Sequence, residues 1–216
     1  ALRPRARGDL PMTHSALRAL FDPRGVMVIG ASASPEKLGA VMAASLQTSG
    51  LPLARVNPRA STDGFVNSAA DAARQIAAAG GSPDLAVICV PAIATATALR
   101  DCAAAGATAA LVCSGGFSEI GPEGTEIEDR VRVELARSGM RLVGPNTSGF
   151  FAPVRRLIAS FVPGAHNVAA GPVGVSAEVE GAAGVATAYR LAETAARWQS
   201  LFGGEDQGDV RRIQRR

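Results

Sequence analysis

The sequence predicts an α/β fold, a Rossmann-like, doubly wound parallel sheet that is followed by the truncated start of a second α/β domain. Short apolar runs alternate with helical segments, and each run ends in Gly, Pro, Ser or Asn. The run at 85–90 is continuously apolar, as is typical of a parallel strand covered on both faces. With 216 residues, of which 47% are hydrophobic, the chain can build one substantial core.

Five strands and four helices account for this pattern. Strands are predicted at 26–29, 53–56, 85–90, 109–112 and 141–143. Helices are predicted between them at 38–49, 68–79, 93–105 and 123–138, and Gly80, Gly106 and Gly139 mark three of the helix ends. Strands that alternate with helices imply right-handed crossovers and hence a parallel sheet.

The residues that follow the five strands form a candidate ligand edge, because ligands of such sheets bind beyond the carboxyl ends of the strands. If these glycines served only as tight-turn residues, there would be no reason for all of them to lie on one edge of the sheet. The candidate binding residues are Gly30, Ala31, Ser32, Ser34, Lys37, Gly39, Asn57, Pro58, Arg59, Val90, Pro91, Ser114, Gly115, Gly116, Phe117 and Asn146.

The first turn predicts a phosphate-bearing ligand, since a small-residue loop leads there into a helix N-terminus. It is not the dinucleotide fingerprint: Ser32 stands where the second glycine is required, and no acidic residue follows about 20 residues later. Arg59, with Arg55 just before it, favours instead a ligand with an extra phosphate on its ribose. Coenzyme A (CoA) and NADP both have one.

Charge and hydropathy exclude other classes of function. The tails at 1–11 and 205–216 contain the excess of basic residues, and 15 basic and 15 acidic residues remain between them. A neutral body argues against nucleic acid as a partner. No apolar run is long enough for a membrane span and no signal peptide is visible, so we expect no membrane partner and a cytoplasmic location. The three cysteines lack metal-ligand spacing, so no metal is expected.

The pattern of apolar periodicity predicts five segments along the chain. Residues 1–14 are expected to be a disordered tail or a segment foreign to the domain, and 15–152 to form the Rossmann-like domain. A linker at 153–170 then precedes an incomplete second domain at 171–202, with a strand at 173–175 and a helix at 182–198. The last segment, 203–216, has no apolar periodicity and predicts a basic disordered tail.

Six motifs in order along residues 15–175 resemble the CoA-binding domain of NDP-forming acyl-CoA synthetases and of the succinyl-CoA synthetase α subunit. They include Val-Ile-Gly-Ala-Ser at 28–32, Val-Asn-Pro-Arg at 56–59 and Pro-Asp-Leu-Ala-Val-Ile-Cys-Val-Pro-Ala at 83–92. The others are Ser-Gly-Gly-Phe-Ser-Glu at 114–119, Arg-Leu-Val-Gly-Pro-Asn at 141–146 and Ser-Phe-Val-Pro at 160–163.

The resemblance implies that CoA or acyl-CoA is the ligand and orients it on the edge. Backbone N–H groups of the turn at 30–39 would hold the pyrophosphate, with Lys37 nearby. Asn57, Pro58 and Arg59 would lie by the adenosine and its 3′-phosphate. Val90 and Pro91 would pack against the adenine or the pantetheine arm. The turn at 114–117 and Asn146 would line the pantetheine arm near the thiol.

The chain departs from this family where the family carries out its chemistry. The family transfers phosphate through a histidine in the second domain, whereas this chain has only His14, before the first strand, and His166, in the predicted linker. Glu178 and Glu180 stand where the family has a Ser-x-Ser-Gly phosphate cradle, and carboxylates at a helix N-terminus compete with phosphate. Thr147 replaces the family cysteine after Gly-Pro-Asn. No catalytic residue is assigned.

Three functions stay open. The favoured one is a CoA-binding or acyl-CoA-binding protein that is catalytically incomplete on its own. The second is the CoA-binding subunit of a two-component, ADP-forming acyl-CoA ligase, in which a partner supplies the ATP-grasp site; self-association is the other possible assembly. The third and weakest is an NADP-dependent oxidoreductase, because Tyr189 has no lysine after it and Lys37 is the only lysine in the chain.

Overall fold

A computed structural model describes residues 14–60, 62–152 and 156–162. The helices are α1 (His14–Phe21), α2 (Leu38–Gln47), α3 (Ala69–Ala78), α4 (Ala92–Ala104) and α5 (Pro122–Ser138), with a 3₁₀ turn at Ser118–Ile120. The strands are β1 (Val26–Ile29), β2 (Leu53–Val56), β3 (Leu85–Ile88), β4 (Ala109–Val112), β5 (Arg141–Val143), β6 (Gly149–Ala152) and β7 (Leu157–Ser160).

Strands β1 to β5 form one parallel sheet in the order β2-β1-β3-β4-β5. Val26 is aligned with Leu53 on one side and with Leu85 on the other, and Leu85 is aligned with Ala109. The strands therefore end together, and their carboxyl ends share one edge. The order reverses direction between β1 and β3, where doubly wound sheets open a crevice for ligands. The predicted Rossmann-like, doubly wound parallel sheet is confirmed.

Two apolar layers cover the sheet. One face, with Val28 and Val87, packs against α1 and α2, and the other, with Met27 and Ile88, packs against α3, α4 and α5. Strands β3 and β4 are buried along their whole length. This double burial explains why their sequences are continuously apolar rather than alternating.

The local chemistry of the helix ends explains why they were predictable. Ser68 caps α3 by accepting a hydrogen bond from the Asp71 backbone N–H at 3.1 Å, and Gly80 follows the helix with a φ of +78°. Helix α5 begins with Pro122 and ends at Gly139 in the left-handed region. The helix predicted at 38–49 ends earlier, at Gln47.

A β-hairpin stands where the sequence analysis placed a domain end and the beginning of a linker. Strands β6 and β7 pair antiparallel and pack back onto α2. The Phe150 ring meets the Phe21 ring edge-on at 5.3 Å, and Leu157 is fully buried. The prediction of a linker from residue 153 is therefore wrong for 157–160. His14, assigned to the first tail, begins α1, whereas residues 1–13 and 163–216, with the second domain and the second tail, lie outside the described residues.

Within the described part of the chain, no helix is long and apolar enough to cross a membrane.

Candidate functional site at the carboxyl edge of the sheet

Backbone hydrogen bonds join the first two turns of the edge. The N–H groups of Gly30 and Ala31 both donate to the Val56 carbonyl, at 3.0 and 3.2 Å. The Asn57 side-chain amide donates to the Ala31 carbonyl at 2.8 Å. The turn that follows β1 is therefore fixed to the end of β2, and a ligand would meet a single ordered surface there.

Asn57 is a positioning residue in this arrangement. While its Nδ2 holds the first turn, its Oδ1 accepts a hydrogen bond from the Arg59 backbone N–H at 2.9 Å. This Asx turn sets the direction of Pro58 and Arg59, which are both exposed. Asn57 keeps one amide hydrogen and one lone pair for a ligand, so the predicted contact to adenosine is compatible with its role in the protein.

The N-terminus of α2 rests directly on the first turn. Gly39 is buried, and a Cβ atom at this position would collide with the Gly30 carbonyl. Lys37 occupies the N-cap position of α2, but its side chain makes no capping hydrogen bond. The N–H groups in the first turn of a helix lack partners within the helix and carry its positive dipole end. The structure thus offers a backbone surface suited to an anion.

Two of the three predicted cations are available at this surface. Lys37 and Arg59 are exposed and make no ion pair with the described residues. Arg55 differs, because its Nε donates to the Gly64 carbonyl at 3.1 Å and its guanidinium lies 4.7 Å above the Phe65 ring. Arg55 therefore stabilises the loop after β2.

The third, fourth and fifth turns are joined in the same way. The Ser114 hydroxyl donates to the Val90 carbonyl at 2.5 Å, and the Asn146 N–H donates to the Ser114 carbonyl at 3.1 Å. Gly30 connects the two groups of turns, because a Cβ on it would stand 2.9 Å from both the Cys89 carbonyl oxygen and a Val90 methyl carbon. All five predicted turns therefore form one continuous edge.

The residues of this second group differ in what they offer a ligand. Pro91 and Gly115 are exposed, and Val90 is half-buried. Asn146 is exposed and adopts a left-handed φ of +54°. Phe117, predicted to line the pantetheine arm, has its ring fully buried in the core with α4 and α5. Phe117 therefore offers no exposed surface to a ligand at the edge.

Glu119 is a site residue that the sequence analysis did not select. Its Oε1 accepts a hydrogen bond from the Gly116 N–H at 2.6 Å, so the carboxylate rests on the glycine turn. Burial alone would raise the pKa of Glu119, but hydrogen bonds from the backbone N–H groups of Gly116, Phe117 and Glu119 itself lower it below its usual value. The signal was present in the sequence as a glutamate three residues after a glycine pair.

Among the described residues, no cluster of three His, Cys, Asp or Glu side chains could hold a metal ion. The edge instead combines a helix N-terminus, two exposed cations and small residues that leave room for a ligand. Such a surface can bind an extended anionic molecule, with the negative groups beside β1 and β2 and the uncharged part beside β3, β4 and β5.

Comparison with known proteins agrees with this geometry. The sequence profile of the CoA binding domain family matches residues 24–153, which is more than half of the chain. The alpha subunit of acetate–CoA ligase (ADP-forming) I of Pyrococcus furiosus is 34% identical over 174 residues, which are 79% of this chain and 37% of that protein. Acetate–CoA ligase (ADP-forming) II of Archaeoglobus fulgidus is 34% identical over 151 residues, 67% of this chain and 21% of that protein.

A solved structure with the same fold is the dinucleotide forming acetyl-coenzyme A synthetase 1 of Ca. Korarchaeum cryptofilum, in complex with phosphate and ADP. It is 32% identical, with a TM-score of 0.59 over 69% of this chain and 31% of that one. The chain thus spans between a fifth and two fifths of the length of these relatives. The profile match, the relatives and the shared fold together show that this chain belongs to the family of CoA-binding domains found in ADP-forming acyl-CoA synthetases.

Proposed function

We propose that this chain binds CoA or acyl-CoA along the carboxyl edge of its sheet. The observation that supports this most directly is the combination of Lys37 and Arg59, exposed and without ion pairs in the described structure, with the N-terminus of α2. CoA has phosphates at two places, a pyrophosphate and a ribose 3′-phosphate. Two separate cations on the same edge match that distribution of charge.

In the proposed orientation, the pyrophosphate lies over the turn between β1 and α2, and the 3′-phosphate lies beside Arg59. The pantetheine arm then runs past Val90 and Pro91 toward Gly115 and Asn146. Two features support this direction. The cations are confined to the β1–β2 side, and the β3–β5 side presents small or apolar groups. The Glu119 carboxylate at that end would disfavour an anionic group there.

We further propose that the chain supplies CoA binding to an ADP-forming ligation whose other steps need further protein. The relatives named above are CoA ligases, and one of them is a subunit. A nucleotide-grasp partner or domain would supply the ATP site and activate the acid. Binding without catalysis is the favoured activity of this chain on its own, because Glu178 and Glu180 replace the family's phosphate cradle. A cytoplasmic location is part of the same proposal.

The test is calorimetry with CoA, dephospho-CoA and NADP on the full chain. We expect CoA to bind in the micromolar range, about −8 kcal/mol, and dephospho-CoA to bind about tenfold more weakly, since an exposed charge-assisted contact is worth about 1.5 kcal/mol. Arg59→Ala should remove most of that difference. Arg141→Ala is the matched control, because Arg141 is equally exposed but begins β5 at the opposite edge.

Each of three results would contradict part or all of this proposal. Equal binding of CoA and dephospho-CoA would remove the role given to Arg59. Tighter binding of NADP than of CoA would favour the oxidoreductase that the sequence left open. Absence of binding by all three ligands, in a chain shown to be folded by circular dichroism, would contradict the proposed function.

A further inference from the structure

Two cysteines stand side by side where β3 and β4 end. The Cys113 N–H donates to the Ile88 carbonyl at 3.2 Å, which continues the ladder that aligns Ile88 with Val112. In a parallel pair, a residue whose N–H bonds to the carbonyl of residue i−1 lies opposite residue i. Cys89 and Cys113 are therefore direct neighbours across the two strands, with side chains on the face that also bears Val87 and Leu111.

The spacing of this pair suits a disulfide. Neighbouring strands lie about 4.8 Å apart, and bridged cysteines have Cα atoms about 4.4–6.8 Å apart. A hydrogen bond to Cys113, together with burial, raises the pKa of the Cys89 thiol, so exchange with a small disulfide requires alkaline pH. Cys113 is 5% exposed, whereas Cys89 is only partly buried. A reagent would thus reach Cys89 before Cys113.

We propose that Cys89 and Cys113 are a redox-active dithiol that closes to an intramolecular disulfide by exchange with a low-molecular-weight disulfide. The Cys89 thiolate attacks one sulfur of the reagent, which breaks its S–S bond and releases one thiol. The Cys113 thiolate then attacks the Cys89 sulfur of the mixed disulfide and releases the second thiol. Two protein thiols are oxidised, one reagent disulfide is reduced, and the two protons leave with the two small thiols.

The bridge would lie directly beneath the candidate ligand site. The residues that follow the two cysteines, Val90 and Ser114, are joined by the 2.5 Å hydrogen bond between the third and fourth turns. Gly30 packs against the Cys89 carbonyl on the other side. The bridge would therefore covalently fix the part of the edge where three turns meet. Its formation does not depend on the proposed binding of CoA, so the two proposals can fail separately.

Cys102 provides a control within the same chain. It is fully buried in α4 on the opposite face of the sheet, in the core with Met27 and Ile88. Burial raises the pKa of the Cys102 thiol to about 12. Because the sheet separates Cys102 from Cys89 and Cys113, Cys102 has no cysteine partner in the described structure and should keep a free thiol throughout.

The experiment treats the reduced full chain with oxidised glutathione at about pH 8.5, where more thiolate forms than at neutral pH. The sample is then denatured, alkylated and analysed by intact-mass and peptide mass spectrometry. We expect a product that lacks two hydrogens, takes up one alkyl group in place of three, and yields a linked pair of peptides with Cys89 and Cys113. Dithiothreitol should restore all three thiols, and Cys102→Ala should form the same bridge.

Cys89→Ala and Cys113→Ala should both abolish the bridge, and Cys113→Ala should in addition accumulate glutathione on Cys89. Three alkylated cysteines after treatment with both oxidised glutathione and the stronger thiol oxidant diamide would overturn the proposal. A bridge that contains Cys102, or a wild-type chain that stops at a stable glutathione adduct, would do the same.

Discussion

Arg24 and Asp84 form a close ion pair at the amino edge of the sheet, away from the candidate site. The Asp84 carboxylate accepts three hydrogen bonds at 2.9 Å, from the backbone N–H, Nε and Nη2 of Arg24. Burial alone would raise the pKa of Asp84, but these bonds lower it below its ordinary 3.8. Because Arg24 begins the approach to β1 and Asp84 precedes β3, the pair fixes the start of two adjacent strands.

We expect Asp84→Asn to lower the free energy of unfolding at pH 7 by about 1 kcal/mol. The estimate is at the low end for a charged hydrogen bond because the Arg24 side chain is largely exposed. Asp129→Asn is the control, since Asp129 pairs with Arg132 on the exposed face of α5 and should change stability by less than about 0.5 kcal/mol. Urea unfolding of the three proteins measures both values.

The same pair predicts a pH dependence. Since the pKa of Asp84 is lower in the folded than in the unfolded chain, the stabilisation is present above the unfolded value and is lost as the pH falls through the folded value. Wild type and Asp84→Asn should therefore differ at pH 6 and converge below about pH 4. A difference in unfolding free energy that stayed constant from pH 6 to pH 3 would show that the charge of Asp84 does not stabilise the fold.

For single residues, the sequence predicted where a residue lies in the fold better than what its side chain does there. It placed Lys37 and Arg59 at an anionic ligand, and both are exposed in the structure. It could not separate them from Arg55, whose partners Gly64 and Phe65 come from a loop with no periodic signal. Phe117 was assigned to the edge by its position after β4, but the direction of a ring after a strand depends on the packing of distant helices.

Helices α2 and α5 each use a glycine to pack closely against the turn that precedes them. In α2, Gly39 packs on the Gly30 carbonyl, and in α5, Gly124 packs on the Phe117 carbonyl in the same way. A side chain at either position would meet backbone atoms, which cannot move as a flexible side chain can. The helix N-terminus and the turn that together form the proposed phosphate end of the site are therefore held at a fixed distance.

Gly39→Ala should therefore lower the free energy of unfolding by about 1–3 kcal/mol, the usual cost of overpacking. In the fraction that stays folded, CoA should bind at least tenfold more weakly, because the helix N-terminus is displaced from the turn. Ala44→Ser, on the exposed face of the same helix, is the control and should change neither property. Normal CoA affinity in a folded Gly39→Ala chain would mean that this contact does not shape the site.

Most elements were predictable because their ends carry strong local signals, such as Ser68, Gly80, Pro122 and Gly139. The β6–β7 hairpin was not. Each of its strands has four residues, Pro153 follows the first, and such short apolar runs resemble a linker as much as a strand. What stabilises the hairpin is tertiary packing, including the contact of Phe150 with Phe21 far away in the chain.

For the whole molecule, alternation of strands and helices predicted a parallel sheet, and the structure gives the order β2-β1-β3-β4-β5. Because all five strands run in the same direction, their turns had to meet at one edge, so the sequence could predict that the candidate site residues share an edge. It could not predict the network of hydrogen bonds that joins the turns, since those bonds link backbone atoms and depend on register.

We expect the chain on its own to form no acyl-CoA from ATP or GTP, magnesium, CoA and acetate, and to take up no acid-labile phosphate. Phosphoryl transfer requires a positioned nucleophile and a site that neutralises the incoming charge. His14 begins α1, ahead of the sheet, and His166 lies outside the described residues. Incubation with radiolabelled nucleotide, followed by mass spectrometry for acyl-CoA, measures both outcomes.

A complete ADP-forming ligase run in parallel is the positive control for both assays. Label on His166 that disappears in a His166→Ala variant would show that the chain is catalytically active on its own. The segment around that histidine would then belong to an active site.

The contacts of Gly39 and Gly124 also affect how this site can change in evolution. Backbone atoms make most of the contacts that hold the two helices against their turns and most of the hydrogen bonds that join the turns. Almost every substitution leaves these backbone atoms in place. The side chains at positions such as 58, 59 and 91 are exposed and can vary without disturbing the scaffold. Single substitutions at these exposed positions can therefore change which ligand is preferred. A single added methyl group at position 39 or 124, by contrast, removes the contact that holds α2 or α5 against its turn.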